Sequence, residues 1–171
     1  TDSFYTRTDK PPVDPQKIYH LKDIYQGGTL DVEALGIEGA PGAWAMIKGD
    51  LNTPIVAPED ALSAIRIGAQ SYVYFEDITI AQGGQLGFFA EEAHHIWVNG
   101  RGMMWAAIKA GGVSSNPEGQ VNLFNNYVYS SGNGITASYV QGDDGFWVNA
   151  VNNVIITGPA TDVSGFSILD K

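Results

Sequence analysis

Arg101 is the charged residue whose placement invites chemistry first. It stands between Gly100 and Gly102. Matching Val98-Asn99-Gly100-Arg101 to Val121-Asn122-Leu123-Phe124 sets it level with Phe75, Phe124 and Val151. Matching it to Val151-Asn152-Asn153-Val154 sets it level with Ile78, Tyr127 and Val154. Both alignments put a cation among apolar residues, where an unpaired charge is prohibitively costly. The two glycines are therefore expected to swing it outward. An outward Arg on an irregular turn is one reading; a guanidinium that receives a carboxylate in a groove is the other. His94 and His95 precede Ile96-Trp97-Val98, and neighbours on a strand face opposite ways, so at most one imidazole serves a given surface. His95 is the candidate base, against an ordinary turn residue. Lys109 joins Arg101 and His95 as the third candidate for catalysis.

Carboxylates come in pairs at Glu59-Asp60, Glu76-Asp77, Glu91-Glu92 and Asp143-Asp144. If the chain repeats, pairs from different repeats could converge on Ca²⁺ or serve as a glycosidase acid and base. Each could equally be a solvated turn. Asp143 and Asp144, between Gly142 and Gly145, are the expected metal ligands because a long turn there can wall a groove. Trp97, Trp147 and Tyr139 are candidate sugar platforms, with Arg66 as a further substrate-binding residue. Ile96-Trp97-Val98-Asn99 and Phe146-Trp147-Val148-Asn149 look alike. With Val98 and Val148 inward, both Trp side chains are expected outward and exposed. Such residues suit a carbohydrate or another chain.

What would position these groups is a repeat. Val121-Asn122-Leu123-Phe124-Asn125-Asn126 returns as Val148-Asn149-Ala150-Val151-Asn152-Asn153, 27 residues later. Looser copies begin at Tyr72 and Val98. A period in the twenties, built of short β-rich runs closed by Asn or Gly, marks a solenoid. Three short runs recur per repeat. One is near the hexapeptide, one follows it (Ile78-Thr79-Ile80, Met103-Met104-Trp105, Tyr127-Val128-Tyr129, Val154-Ile155-Ile156), and one comes after a turn (Ile65-Arg66-Ile67, Leu86 to Phe89, Val113-Ser114-Ser115, Ile135-Thr136-Ala137, Phe166-Ser167-Ile168). This describes an all-β chain wound as a parallel β-helix of about five to six coils. Coils stack about 4.8 Å apart because one coil cannot bury its inward side chains alone. Ile65, Phe88, Ile135 and Phe166 should form one inward column. Phe75, Phe124 and Val151 should form a second, and Ile80 with Ile156 a third. Asp77, Asn126 and Asn153 should form a turn ladder, since such residues tolerate a left-handed backbone.

Residues 1–17, with Pro11, Pro12 and Pro15 and no apolar period, read as an extended arm. The solenoid domain then spans 18–171. No window between Lys17 and Asp60 has a convincing helical period.

Composition limits the partners. Nine Lys and Arg against nineteen Asp and Glu give a net charge of −10, and no basic cluster stands out. Nucleic acid and anionic membrane surfaces are poor partners for such a chain. No run approaches the roughly 18 apolar residues of a membrane span. Without Cys there is no disulfide or thiolate-metal framework. The chain opens at Thr1, as a mature, processed or excised segment would. An extracellular or cell-surface location is expected.

The runs Ser63 to Ile80 (SAIRIGAQSYVYFEDITI), Asn122 to Ile135 (NLFNNYVYSSGNGI) and Val151 to Gly158 (VNNVIITG) resemble the right-handed parallel β-helix proteins of the pectate-lyase-like superfamily. Gly36 to Val56 (GIEGAPGAWAMIKGDLNTPIV) looks like the opening coil of polysaccharide lyases of that architecture. The likeness covers residues 17–171. It implies a right-handed helix and engagement of a polysaccharide, with uronic-acid polymers the usual substrates of the family's lyases, hydrolases and epimerases. A lyase would neutralise a uronate through Arg101 or Ca²⁺ and abstract a proton with a Lys, Arg or His base. The superfamily also holds tailspikes, adhesins and non-catalytic solenoids. Its enzymes are usually longer, and this sequence stops in a coil with no capping helix. An open last coil invites edge pairing, so another chain or further domain is expected to cover it. The alternative function is thus a structural subunit whose coils stack end to end.

Overall fold

The computed structural model describes residues 10–50, 52–82, 86–90 and 93–99 and, beyond residue 102, the backbone of the strands named below. The chain starts with β1 (Val13–His20), a single helical turn α1 (Leu21–Ile24) and β2 (Leu30–Asp31). Five further passes each lay down three strands. They are β3 (Trp44–Lys48), β4 (Ile55–Val56) and β5 (Ser63–Gly68); β6 (Ser71–Glu76), β7 (Ile80–Gln82) and β8 (Leu86–Ala90); β9 (His94–Asn99), β10 (Met103–Met104) and β11 (Ile108–Gly112); β12 (Gln120–Phe124), β13 (Tyr127–Ser130) and β14 (Ile135–Tyr139); and β15 (Trp147–Val151), β16 (Val154–Thr157) and β17 (Phe166–Leu169).

Three parallel sheets result. The first runs β1-β3-β6-β9-β12-β15, the second β4-β7-β10-β13-β16 and the third β2-β5-β8-β11-β14-β17. Each pass therefore visits the sheets in turn. The pass that opens the chain puts α1, for which no helical period stands in the sequence, between β1 and β2. β1 begins at Val13, so it takes in residues that the sequence reads as arm, and it pairs with β3 through Val13↔Trp44 and Ile18↔Met46.

Strand formation follows from β-branched and aromatic residues alternating across the pleat. In β6, Val73 and Phe75 enter a core shared with Ile65, Ile80, Phe88, Ile96 and Val98. Phe75 and Phe88 meet edge to face at 5.2 Å between centroids. Each such ring contributes about 1.5–3 kcal/mol through its burial.

The column expected on the third sheet is present: Leu30↔Ile65↔Phe88↔Ile108↔Ile135↔Phe166. Ile108 fills the pass for which the sequence suggested Val113. Val121↔Val148 through Phe124↔Val151 also pair as the hexapeptide repeat requires. Three other expectations are corrected. Phe75 pairs with Val98, which pairs with Leu123, so Phe75 is not in the column of Phe124. Ile80 continues through Met104 and Val128 to Ile155 rather than Ile156. The places assigned to Arg101 belong to others: Asn99 stands beside Phe124, and Met103 beside Tyr127. Arg101 itself lies outside the described residues. Asp77 has the left-handed backbone expected of its turn, φ 53°; Asn126 and Asn153 also lie outside the described residues.

Candidate functional site

The outer face of the first sheet carries three columns. The positions before Ala45↔Val73 and Val73↔Ile96 bring Trp44, Tyr72 and His95 together in successive passes. Tyr72 and His95 stack at 4.4 Å with ring planes 17° apart. Trp44 stands edge-on to both, at 5.5 Å from Tyr72 and 6.4 Å from His95. Both stacked residues have positive φ, 54° at Tyr72 and 55° at His95, a conformation that bulky side chains rarely adopt. One pass earlier the chain instead makes the tight turn Ala40–Ala43, with paired backbone bonds between its ends and Gly42 at φ 74°. Gly39 lets that turn close: its N–H donates to Ser71 O at 3.0 Å, and a Cβ there would lie 2.6 Å from Ala45 N.

The second column is Met46↔Tyr74↔Trp97. Trp97 points away from the core as alternation requires, but it is not exposed. It is 4% accessible and packs with Tyr74 and Trp44, edge-on to Tyr74 at 6.5 Å. Parallel sheets are commonly covered on both faces, and here a second apolar layer does so. The expected exposed Trp97 platform is thereby corrected.

The third column is Lys48↔Glu76↔Asn99. Glu76 is buried, yet it is bound on several sides. The Lys10 ammonium donates to Glu76 Oε1, and Tyr74 OH donates to the same oxygen at 2.9 Å. Asn99 Nδ2 donates in turn to the Tyr74 hydroxyl at 3.3 Å. Burial pushes the Glu76 carboxyl up, but the bonds from Lys10 and Tyr74 and the charges of Lys10 and Lys48 outweigh it and hold the group below its ordinary range. Burial, aided by the adjacent carboxylate and opposed by the Asn99 bond, pushes the Tyr74 phenol up to about 12. The bond to Glu76 raises Lys10. At neutral pH all three groups therefore stay in fixed charge states. They suit recognition by charge and hydrogen bonding better than proton transfer, which needs a group titrating near the working pH.

The residues singled out from sequence fall into separate places. His95, Trp97 and Trp147 belong to the first sheet, whereas Arg66, Lys109 and Tyr139 belong to the third. Trp147 pairs with Gln120, two places from the register of Trp97, which pairs with Asn122. Arg66 and Lys109 share a column through Phe89. The Arg66 guanidinium is engaged by Asp31 at 3.1 Å and Glu33 at 2.6 Å. Asp143 and Asp144 lie outside the described residues, and among the described residues no group of three or more His, Asp or Glu could hold a metal. The described carboxylates thus give Ca²⁺ no gathered donor set. Among them, too, no helix is long and apolar enough to cross a membrane.

Sequence reasoning missed Trp44, Tyr72, Tyr74 and the Lys10–Glu76–Asn99 chain. A signal existed for the first two: Trp44, Tyr72 and His95 recur at nearly the repeat spacing. Lys10–Glu76 joins residues 66 apart in sequence and has no such signature. No protein-family model, curated protein or solved structure matches the chain.

Proposed function

We propose that the chain is a right-handed parallel β-helix, of the pectate-lyase-like kind, whose first sheet presents a carbohydrate-binding face. Three parallel sheets visited in turn support the winding, and its hand follows the strong preference of parallel crossovers. The observation that carries the function is the part-exposed Tyr72–His95 stack, which the buried Trp44 supports edge-on. Stacked one pass apart and part-exposed, these two rings form an aromatic step on the outer face of the sheet that can pack against a sugar unit, with Asn99, also part-exposed, on the same face. Binding rather than turnover is the reading favoured. A lyase reaction would require Arg101 or Ca²⁺ beside a single Lys, Arg or His base, and the two candidate bases His95 and Lys109 occupy different sheets, so they do not form one catalytic pair. An extracellular or cell-surface setting accords with a polymer ligand.

Affinity electrophoresis against neutral, uronate and amino-sugar polysaccharides tests this. Wild-type protein is expected to be retarded by at least one polymer. The double variant Tyr72→Asn, His95→Asn keeps residues that tolerate a left-handed backbone and removes both rings. It should lose that retardation at least tenfold with its melting temperature nearly unchanged. Absence of retardation by every polymer, or identical retardation of the variant, overturns the proposal.

A further inference from the structure

We infer that residues 10–13 form a stiff strap that fixes Trp44, and that Trp44 is in turn the positioning residue of the Tyr72–His95 stack. This role rests on the carbohydrate reading above and specifies how that same site is regulated.

The strap is anchored at two places. At one end Val13 pairs with Trp44, the Trp44 N–H donates to Pro12 O at 2.8 Å, and Val13 packs against the cluster of Trp44, Tyr74 and Trp97. At the other end the Lys10 ammonium donates to Glu76 Oε1. Glu76 stands at the register of Lys48, four residues along β3 from Trp44, or about 13 Å away. Three residues of extended chain cover only about 10–11 Å, so the Lys10 side chain makes up the difference and little slack remains. Pro11 and Pro12 fill the interval. Each locks its own φ and holds the residue before it extended. A displacement at the Glu76 contact is therefore carried to Trp44 rather than absorbed.

Trp44 passes it to the site. Its side chain is buried, and its ring meets both stacked rings edge-on, at 5.5 Å from Tyr72 and 6.4 Å from His95. Edge-to-face packing favours one relative tilt of the rings. Tyr72 and His95 are part-exposed, so the buried indole is the wall that sets their angle. On its other side a Cβ at Gly39 would lie 2.9 Å from Trp44 Cα; the turn and the strap thus confine the Trp44 backbone between them. The Lys10 anchor is the releasable one. Its side chain is 59% accessible, and an exposed ammonium gains little from its ion pair. Releasing it slackens Trp44 without breaking the Val13–Trp44 strand pair.

The test joins NMR of the His95 ring protons to affinity electrophoresis in hydroxyethylcellulose, polygalacturonate and glycol chitosan. The proteins are wild type, Pro11→Gly/Pro12→Gly, Trp44→Leu and Trp44→Phe, each confirmed folded by circular dichroism. Stacking on Tyr72 shifts the wild-type His95 protons upfield. That shift should fall by at least half in the glycine variant and in Trp44→Leu, and should be kept in Trp44→Phe, which still presents a ring edge. Retardation by whichever of the three polymers holds the wild type should weaken at least threefold in the same two variants. An unchanged shift in folded Trp44→Leu would overturn the positioning role. A changed shift in Trp44→Leu beside an unchanged one in the glycine variant would overturn the strap. Shifts that move as expected while no polymer retards the wild type would overturn the carbohydrate reading and leave the strap and its positioning residue standing.

Discussion

Replacing Lys10 with Met should destabilise the protein at neutral pH and leave it nearly unaffected in acid. The magnitude follows from what each partner loses. Breaking a fully buried ion pair costs about 3–5 kcal/mol because a charge is stranded. Here Tyr74 still donates to Glu76 after the change, and the Lys10 end is largely solvated, where a pair is worth about 0–1 kcal/mol. A cost of about 1–2 kcal/mol lies between those limits, or roughly 2–8 °C in melting temperature for a domain of this size. The pH dependence fixes the cause. Glu76 titrates below its ordinary value in the folded protein, so the unfolded chain binds more protons and stability rises with pH through that interval. The contribution is complete above the unfolded carboxylate value of about 4.3 and is lost as pH falls through the lower folded value. In Lys10→Met the bond and charge from Lys10 are gone and burial dominates, so the carboxyl shifts upward and the penalty appears only where it is ionised. Urea unfolding of both proteins at pH 7, 5 and 3 reads the difference directly. A gap that is the same at pH 3 as at pH 7 would refute an electrostatic origin and assign the loss to packing of the Lys10 stem.

Phe88→Ala removes a ring that is 3% accessible from the column of Ile65 and Ile108, and urea unfolding should register a loss of about 3–5 kcal/mol. Gly39→Ala would force a methyl against Ala45 N and the Tyr72 carbonyl, both backbone; thermal melts should show a loss on the order of 1–3 kcal/mol, and an unchanged melt would mean that the Ala40–Ala43 turn shifts freely. Tyr72→Gly relieves a left-handed backbone and sacrifices one aromatic stack, so its unfolding free energy should stay within about 1 kcal/mol of wild type while polysaccharide retardation weakens.

Where the sequence was read correctly, the cause was side-chain size. Ile65, Phe88, Ile135 and Phe166 are all large and apolar, so their period survives variable turns between them. At Phe75 the register expected of the first sheet is one residue out of step with the observed pairing. A slip of one in a strand exchanges its faces, and Phe75, wholly buried in the core, was matched to Phe124, whose register partner is Asn99 on the outer side. Phe at both positions made the false alignment attractive. A slip of two residues carries Arg101 into the places that Asn99 and Met103 occupy. Trp97 failed differently: alternation gave its direction, but its cover depends on Trp44 and Tyr74 meeting it across strands, which no single strand encodes. The Lys10–Glu76 pair was illegible because it depends on where the residues before β1 lie against β6.

The left-handed residues at Tyr72 and His95 argue that stability alone did not select these rings. Such a backbone costs roughly 1–2 kcal/mol per residue, and it occurs here in two consecutive passes at one place in the sheet. Their stacking returns about 0.5–1.5 kcal/mol for the pair beyond burial. In the preceding pass Trp44 holds that register position without a positive φ, so the sheet itself does not demand a left-handed backbone there. Tyr and His at positive φ thus place two stacked, part-exposed rings on the outer face of the first sheet. Backbone strain kept at two neighbouring aromatic positions supports the ligand contact proposed above, and the stack it maintains lies along the direction in which a polymer would cross the strands.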